Sequence, residues 1–361
     1  MANNRVFYAM KRFGIGPSDA SSFIQGRGTQ QVGVTTTFNL EQVFELGQIS
    51  LFDQIEGVPD VSLNASKVLD GRCPLYLLST GQGTASSALL VDKAKESCSA
   101  VVAIYSETDS IAGGDSTALS SSDSYFVCKD LQVSSVEYSI STDSDATESV
   151  TYVGNDKEYS AGSVGSFLAS STIAEGDSPL ANTGVSRRED IDFTNTRLPT
   201  DMPGITNSSS DTSFEYGTVS SSQVDNNEIP VQIQSISISA SLTREAIPQL
   251  GTKENFTRVL TFPAEVTTEF TIHSLNGDGL SALVSDTSEN TKDQNIRIAL
   301  KEGLIIDLGT KNRLTSISLT GADAGGGNQT FTLSYQTFND FTVVHSQAPD
   351  AESRTLPTLP S

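Results

Sequence analysis

Tryptophan is missing from this 361-residue chain, histidine occurs twice and cysteine three times. His273 and His345 lie far apart and neither sits in a nucleophile motif, so they give no basis for a catalytic or metal-binding histidine site. Cys73, Cys98 and Cys128 are odd in number and lack metal-ligand spacing; buried free thiols are expected rather than a disulfide framework. Cations are scarce: 22 Lys and Arg face 44 Asp and Glu, for a net charge of −22. Such a chain repels nucleic acid, because phosphates are held by Lys and Arg that displace their counterions. No apolar run approaches the roughly 18 residues of a membrane helix. Lys11 and Arg12 interrupt the apolar start "MANNRVFYAMKRFGIG", so synthesis in a reducing cytoplasm is expected, with no secretion signal.

Chemical motifs are missing as well. The chain holds no G-x-S-x-G, P-loop or H-E-x-x-H pattern. Its "GQGT" and "GGGN" are turn glycines without a basic residue in phosphate-binding frame, and "DSD" and "NGDG" complete no calcium loop. No catalytic, cofactor-binding or metal residue is assigned, and an enzyme is not expected.

What the chain does have is alternation. "VSSVEYSIST", "SVTYVG", "QIQSISISAS", "RLTSISLTG" and "QTFTLSYQTF" alternate apolar or aromatic residues with Ser, Thr and Gln, as half-buried strands do. Gly and Asp/Asn clusters mark turns between them. One helix is expected in "TASSALLVDKAKESCSAVVA", whose Ala88, Leu89, Val91, Ala94 and Cys98 make an approximate apolar stripe. A shorter counterpart begins near Leu280.

The alternation also repeats. "LGQISLFDQIEGVP" (46–59) and "LGTKENFTRVLTFP" share Leu-Gly, then Phe, then an aliphatic residue, and finally Pro, all at an offset of 204 residues. Further matches follow in order at shrinking offsets of 196, 194 and 181; Val150 and Tyr152 then align with Phe331 and Leu333. Collinear matches with shrinking offsets indicate a tandem duplication whose first copy gained loops. The fold class expected is mainly β: two antiparallel sandwich- or barrel-like modules, each with a short helix. The expected division is an arm over 1–34, a first module over 35–160, a polar extended segment over 161–236, a second module over 237–345 and a tail over 346–361.

Charge is unevenly placed. Residues 1–30 carry +3, whereas 101–230 hold 21 acidic residues against 5 basic ones. Acidity of this size keeps a protein soluble and repels nucleic acid.

"FNLEQVFELGQISLFDQIEGVPDVSLNASKVLDG" and "DATESVTYVGNDKEY" resemble the tail tube proteins of long-tailed bacteriophages, and "LTREAIPQLG", "RVLTFPAEVTTEF" and "IIDLGTKNRLTSISLTGADAGGGNQT" are similar to the later part of that group. The resemblance implies β modules with one helix, six to a ring, and rings stacked into a virion tail tube through which DNA passes without specific binding. Sheath, baseplate and tail-terminator proteins are the implied partners; no membrane is involved. Two modules per chain favour a trimer with pseudo-sixfold symmetry over a hexamer. Phe44, Leu46, Gly47, Phe52, Leu250, Gly251 and Phe256 are the expected assembly residues, with ordinary core as the competing assignment. Asp143, Asp145 and Glu148 are the expected lumen residues. A tail hub that stops at one ring, or a β-sandwich adhesin, are the alternatives.

Overall fold

A computed structural model describes residues 11–20, 23–47, 49–80, 90, 96–104, 124–161, 184–192, 195–199, 202, 233–251, 255–273, 283, 292–321 and 327–345. Within them the chain is mainly β and sandwich-like, with antiparallel sheets and one short helix. The first half contains β1 (Lys11–Pro17), β2 (Ile24–Gln25), β3 (Thr29–Thr37), β4 (Leu40–Val43), β5 (Asp53–Glu56), β6 (Asp60–Val68), α1 (Leu75–Thr80), β7 (Cys98–Ile104), β8 (Ser124–Ser141), β9 (Thr147–Gly154) and β10 (Asp156–Ala161). The second half contains β11 (Ile233–Ser241), β12 (Arg244–Pro248), β13 (Asn255–Leu260), β14 (Glu265–His273), β15 (Arg297–Ala299), β16 (Leu304–Asp307), β17 (Arg313–Thr320), β18 (Thr330–Phe338) and β19 (Thr342–His345).

The pairings of the first half recur in the second. β3·β6, β6·β9 and β8·β9 are matched by β11·β14, β14·β18 and β17·β18. β4·β5 is matched by β12·β13, and the β7·β8·β10 trio by β15·β16·β19. Even an irregularity repeats: the ladder shifts between Val133 and Ser135 on β8 and between Leu314 and Ser316 on β17. The register corrects one expected match. Ala65 faces Val150 as Phe270 faces Leu333, and Leu63 faces Tyr152 as Thr268 faces Tyr335. Val150 and Tyr152 therefore correspond to Leu333 and Tyr335, two residues beyond the sequence match, because a period of two leaves such slips invisible.

β8 joins the halves. Its N-terminal part pairs with β7 and β10, and its C-terminal part lies between β9 and β11, with Ser135 opposite Ser241 and Ser141 opposite Ser235. One sheet thus runs β3-β6-β9-β8-β11-β14-β18-β17 through both halves. Its inner face carries Leu63, Val150, Tyr138, Ile238, Phe270 and Leu333, all buried in a single core with side chains from β1, β7, β16 and α1. Burying each such side chain contributes about 1.5–3 kcal/mol.

Three expectations change. Residues 11–17 are no free arm: β1 pairs along its length with β7 and buries Phe13 and Ile15. Cys98–Ile104 is a strand, not the end of a helix, and α1 lies earlier; β7 is buried on both faces, so it reads as a continuous apolar run that periodicity does not separate from a helix. The rest of the expected helix, apart from Leu90 and residues 96–97, lies outside the described residues, as does its counterpart except Leu283. The segment 161–236 is not wholly extended loop. Ser186, Thr196, Leu198 and Met202 are buried, Arg197 bridges to Arg297, and residues 233–236 begin β11. The tail over 346–361 lies outside the described residues.

Candidate assembly surface

Each Leu-Gly of the repeat sits at the end of a hairpin. In β4·β5 Leu40 faces Glu56, and in β12·β13 Arg244 faces Leu260, the same register at the 204-residue offset. Gly47 and Gly251 have φ of +94° and +92°, which favours glycine at each turn. Beside them Leu46 and Leu250 are fully exposed, and Phe44, Phe52 and Phe256 are exposed as well. Ile49 and Ile55 add to the apolar surface of the first hairpin, and Phe262 to that of the second. These side chains are not core, so the competing assignment fails. Clustered exposed apolar residues of this kind mark interaction surfaces.

The outer face of the eight-stranded sheet is polar. One cross-strand row reads Ser66, Ser149, Glu137, Ser239, Thr267, Gln336. Neighbouring rows bring Asn64 to Thr151 at 3.5 Å and the Ser334 hydroxyl, as donor, to Glu269 Oε1 at 3.2 Å. Glu137, Glu265 and Glu269 are exposed there. Serine and threonine alternate with core residues along these strands, so the pleat puts most of their hydroxyls on one side, Thr268 and Thr337 being buried on the other.

The expected lumen residues fall elsewhere. Asp143 is exposed in the turn after β8, and Asp145 pairs with Arg187 at 2.9 Å. Glu148 is buried and faces no channel: it accepts from the Leu75 and Tyr76 amides, at 2.5 and 3.0 Å, and from the Tyr138 hydroxyl at 2.8 Å. Burial pushes its carboxyl upward, against those hydrogen bonds. The row Lys67, Glu148, Tyr138 becomes Ile272, Phe331, Leu319 in the second half, so this polar cluster belongs to the first alone. Glu148 directly precedes the alternating "SVTYVG" and shares the parity of Val150 and Tyr152, a sign of an inward position that its charge masked.

The in-chain junction is fastened by charged and polar side chains. Arg244 Nε donates to the Val133 carbonyl at 2.8 Å, and burial lowers its pKa to about 10. Arg258 Nη2 lies 2.9 Å from both Asp60 Oδ1 and Asn155 Oδ1, and Asn255 donates to Asn155 Oδ1 at 3.3 Å. Deeper in, Glu302 of the second half accepts from the Gly71 amide at 2.7 Å and from the Ser186 hydroxyl at 2.5 Å, which ties the halves and the connecting segment together.

Cys73, Cys98 and Cys128 are buried free thiols. Burial pushes the Cys128 thiol up to about 11 and that of Cys98 higher still. Among the described residues no group of three or more His, Cys, Asp or Glu is placed to hold a metal ion, and no helix is long and apolar enough to cross a membrane. Comparison with family models finds no match to this chain, and no curated protein matches it.

Proposed function

We propose that this chain is a structural subunit of a phage tail tube, whose copies join into rings and stack around a channel for DNA. The observation that carries this reading is the two-sided construction of the eight-stranded sheet, polar outside and apolar within. A closed wall needs one face that fills a core and another that lets a polyanion slide. Here the outer face offers hydroxyls and carboxylates; among the described residues of its strands the lysines and arginines are Arg313 at the sheet's edge, Lys129, which pairs with Glu158, and Lys67, which is buried on the inner side. Carboxylates such as Glu137 and Glu269 repel phosphate weakly and within about 8–10 Å at physiological salt, yet repeated around each ring they leave no attachment points. The lumen residues of this reading are thus Glu137 and Glu269 rather than Asp143, Asp145 and Glu148. The exposed hairpins supply apolar contacts from ring to ring, a heterologous interface that propagates.

Electron microscopy of the purified full-length chain tests this. Stacked rings with a continuous central channel are expected. Single rings that never stack favour the hub reading, and a monodisperse monomer at high concentration overturns both.

A further inference from the structure

We infer that the two open edges of the large sheet, β17 of one copy and β3 of a second, pair antiparallel in the register of the β8·β11 junction, with an apolar lock replacing that junction's arginines. The inference rests on the ring-forming part of the proposed function and names how one chain recognises the next.

The chain contains its own template. β8 and β17 occupy equivalent places, as do β11 and β3, because each pair makes the same ladder with its inner neighbour. β8 and β11 are joined; among the described residues β17 pairs with β18 alone and β3 with β6 alone. Carrying the β8·β11 register across places Ile317 opposite Thr36, Ser318 opposite Thr35 and Leu319 opposite Val34. These positions correspond in turn to Val136 with Ala240, Glu137 with Ser239, and Tyr138 with Ile238.

Burial shows what the free edges lack. Val136, Tyr138, Ile238 and Ala240 are buried at the joined edges, whereas Ile317, Leu319, Val34 and Thr36 are only half-buried. Just past the strand, Leu242 is 1% exposed and its amide bonds to the Ser134 carbonyl at 2.8 Å, while its counterpart Phe38 is 69% exposed. An unpaired strand edge invites an added strand, and here Ile317, Leu319, Val34 and Phe38, which would be covered, are already apolar.

The fastening differs in kind. Arg244 corresponds to Leu40 and Asn255 to Leu51, both at the hairpin offset of 204 residues, and both leucines are exposed. Asn155, which continues the β6·β9 ladder opposite Asp60, corresponds to Phe338, which faces Glu265 and is 49% exposed. Arg258 corresponds to Gln54. The link within a chain is ionic; the link between chains is apolar. A copy's β17 edge therefore selects a second copy's β3 edge by shape and apolar contact rather than by charge.

Mixing two chains that each carry one added cysteine, Ser318→Cys and Thr35→Cys, under mild oxidation tests the register, the three native thiols being buried. A disulfide-linked dimer between chains is expected. Ser318→Cys mixed with Gln31→Cys, four residues or about 13 Å out of register, gives none. Equal cross-linking in both mixtures, or none in either, overturns the inference. Ser316→Cys with Thr37→Cys repeats the test at a second pair should one variant misfold. Phe38→Asp with Phe338→Asp should leave a folded chain by circular dichroism and weaken association at least about tenfold. Raising salt from about 0.1 to 1 M should leave wild-type association within about threefold; salt-induced dissociation would contradict an apolar lock. Cross-linked rings that never stack sink the tube proposal alone, and tubes without the Ser318–Thr35 cross-link sink this one alone.

Discussion

Leu46 and Leu250 show how much a single side chain can reveal once its surroundings are known. Both are fully exposed beside a glycine turn, so their replacement by Asp should change folding stability by less than about 0.5 kcal/mol. The same double substitution should abolish stacking, which electron microscopy checks; a loss of the folded monomer would return these residues to the core. His345 is the opposite case. Burial, with Lys67 nearby, lowers its pKa from 6.5 to about 3. An unfolded chain takes up a proton on this imidazole below about pH 6.5, while the folded one stays neutral until near pH 3. Its contribution is thus present above pH 6.5 and lost as pH falls through that window, at up to about 1.4 kcal/mol per unit. Glu148 and Glu302, whose folded values are raised by burial, act in the other direction, since their contribution declines as pH rises. Comparing wild type with His345→Gln isolates the histidine: chemical denaturation between pH 6.5 and 4 should show a shallower acid slope in the variant, and an unchanged slope would refute the assignment.

At the scale of elements, β8 is the member on which the others depend. Its 18 residues serve two sheets, and its C-terminal part is paired on both sides by β9 and β11. The second half divides the same path into β16 and β17, with Gly309 at φ +70° between them. Strands paired on both sides exchange amide hydrogens slowly, whereas edges open locally. Hydrogen exchange of the unassembled chain should therefore find β8, β11 and β14 protected and β3 and β17 less so. On assembly β3 and β17 should slow together while β8 stays as it was. Protection gained by only one of the two edges would rule out their pairing with each other.

For the whole molecule, eight strands run through one continuous sheet with its two ends equivalent to the two edges joined inside. Three such chains in a ring would present six near-equivalent sheets, in which ionic and apolar junctions alternate. Joining the modules covalently also reduces the freedom lost on assembly, since three bodies rather than six are brought together. Images of the assembled protein should show threefold symmetry with a pseudo-sixfold outline. A strict sixfold with one chain per repeat would exclude this arrangement and favour the hexamer.

Alternation of Ser and Thr with β-branched and aromatic residues was enough to establish strands, because the pleat enforces a period of two locally. The repeat at 204 residues was equally legible, since hairpins β4·β5 and β12·β13 keep their register through the chain's own short turns. Only the tertiary structure decided which apolar residues are core: Leu63 and Leu46 look alike in sequence, yet one is buried and the other bare. It also brought Glu148 to the start of α1, drew residues 11–17 into a sheet, and made a strand of Cys98–Ile104. Each of those outcomes depends on a partner far away in the chain, and a strand's preference comes from the neighbours it packs against rather than from its own residues. The same holds for the most informative feature of the molecule. That β8 meets β11, leaving β17 and β3 open among the described residues, follows from long-range pairing, which no local pattern encodes.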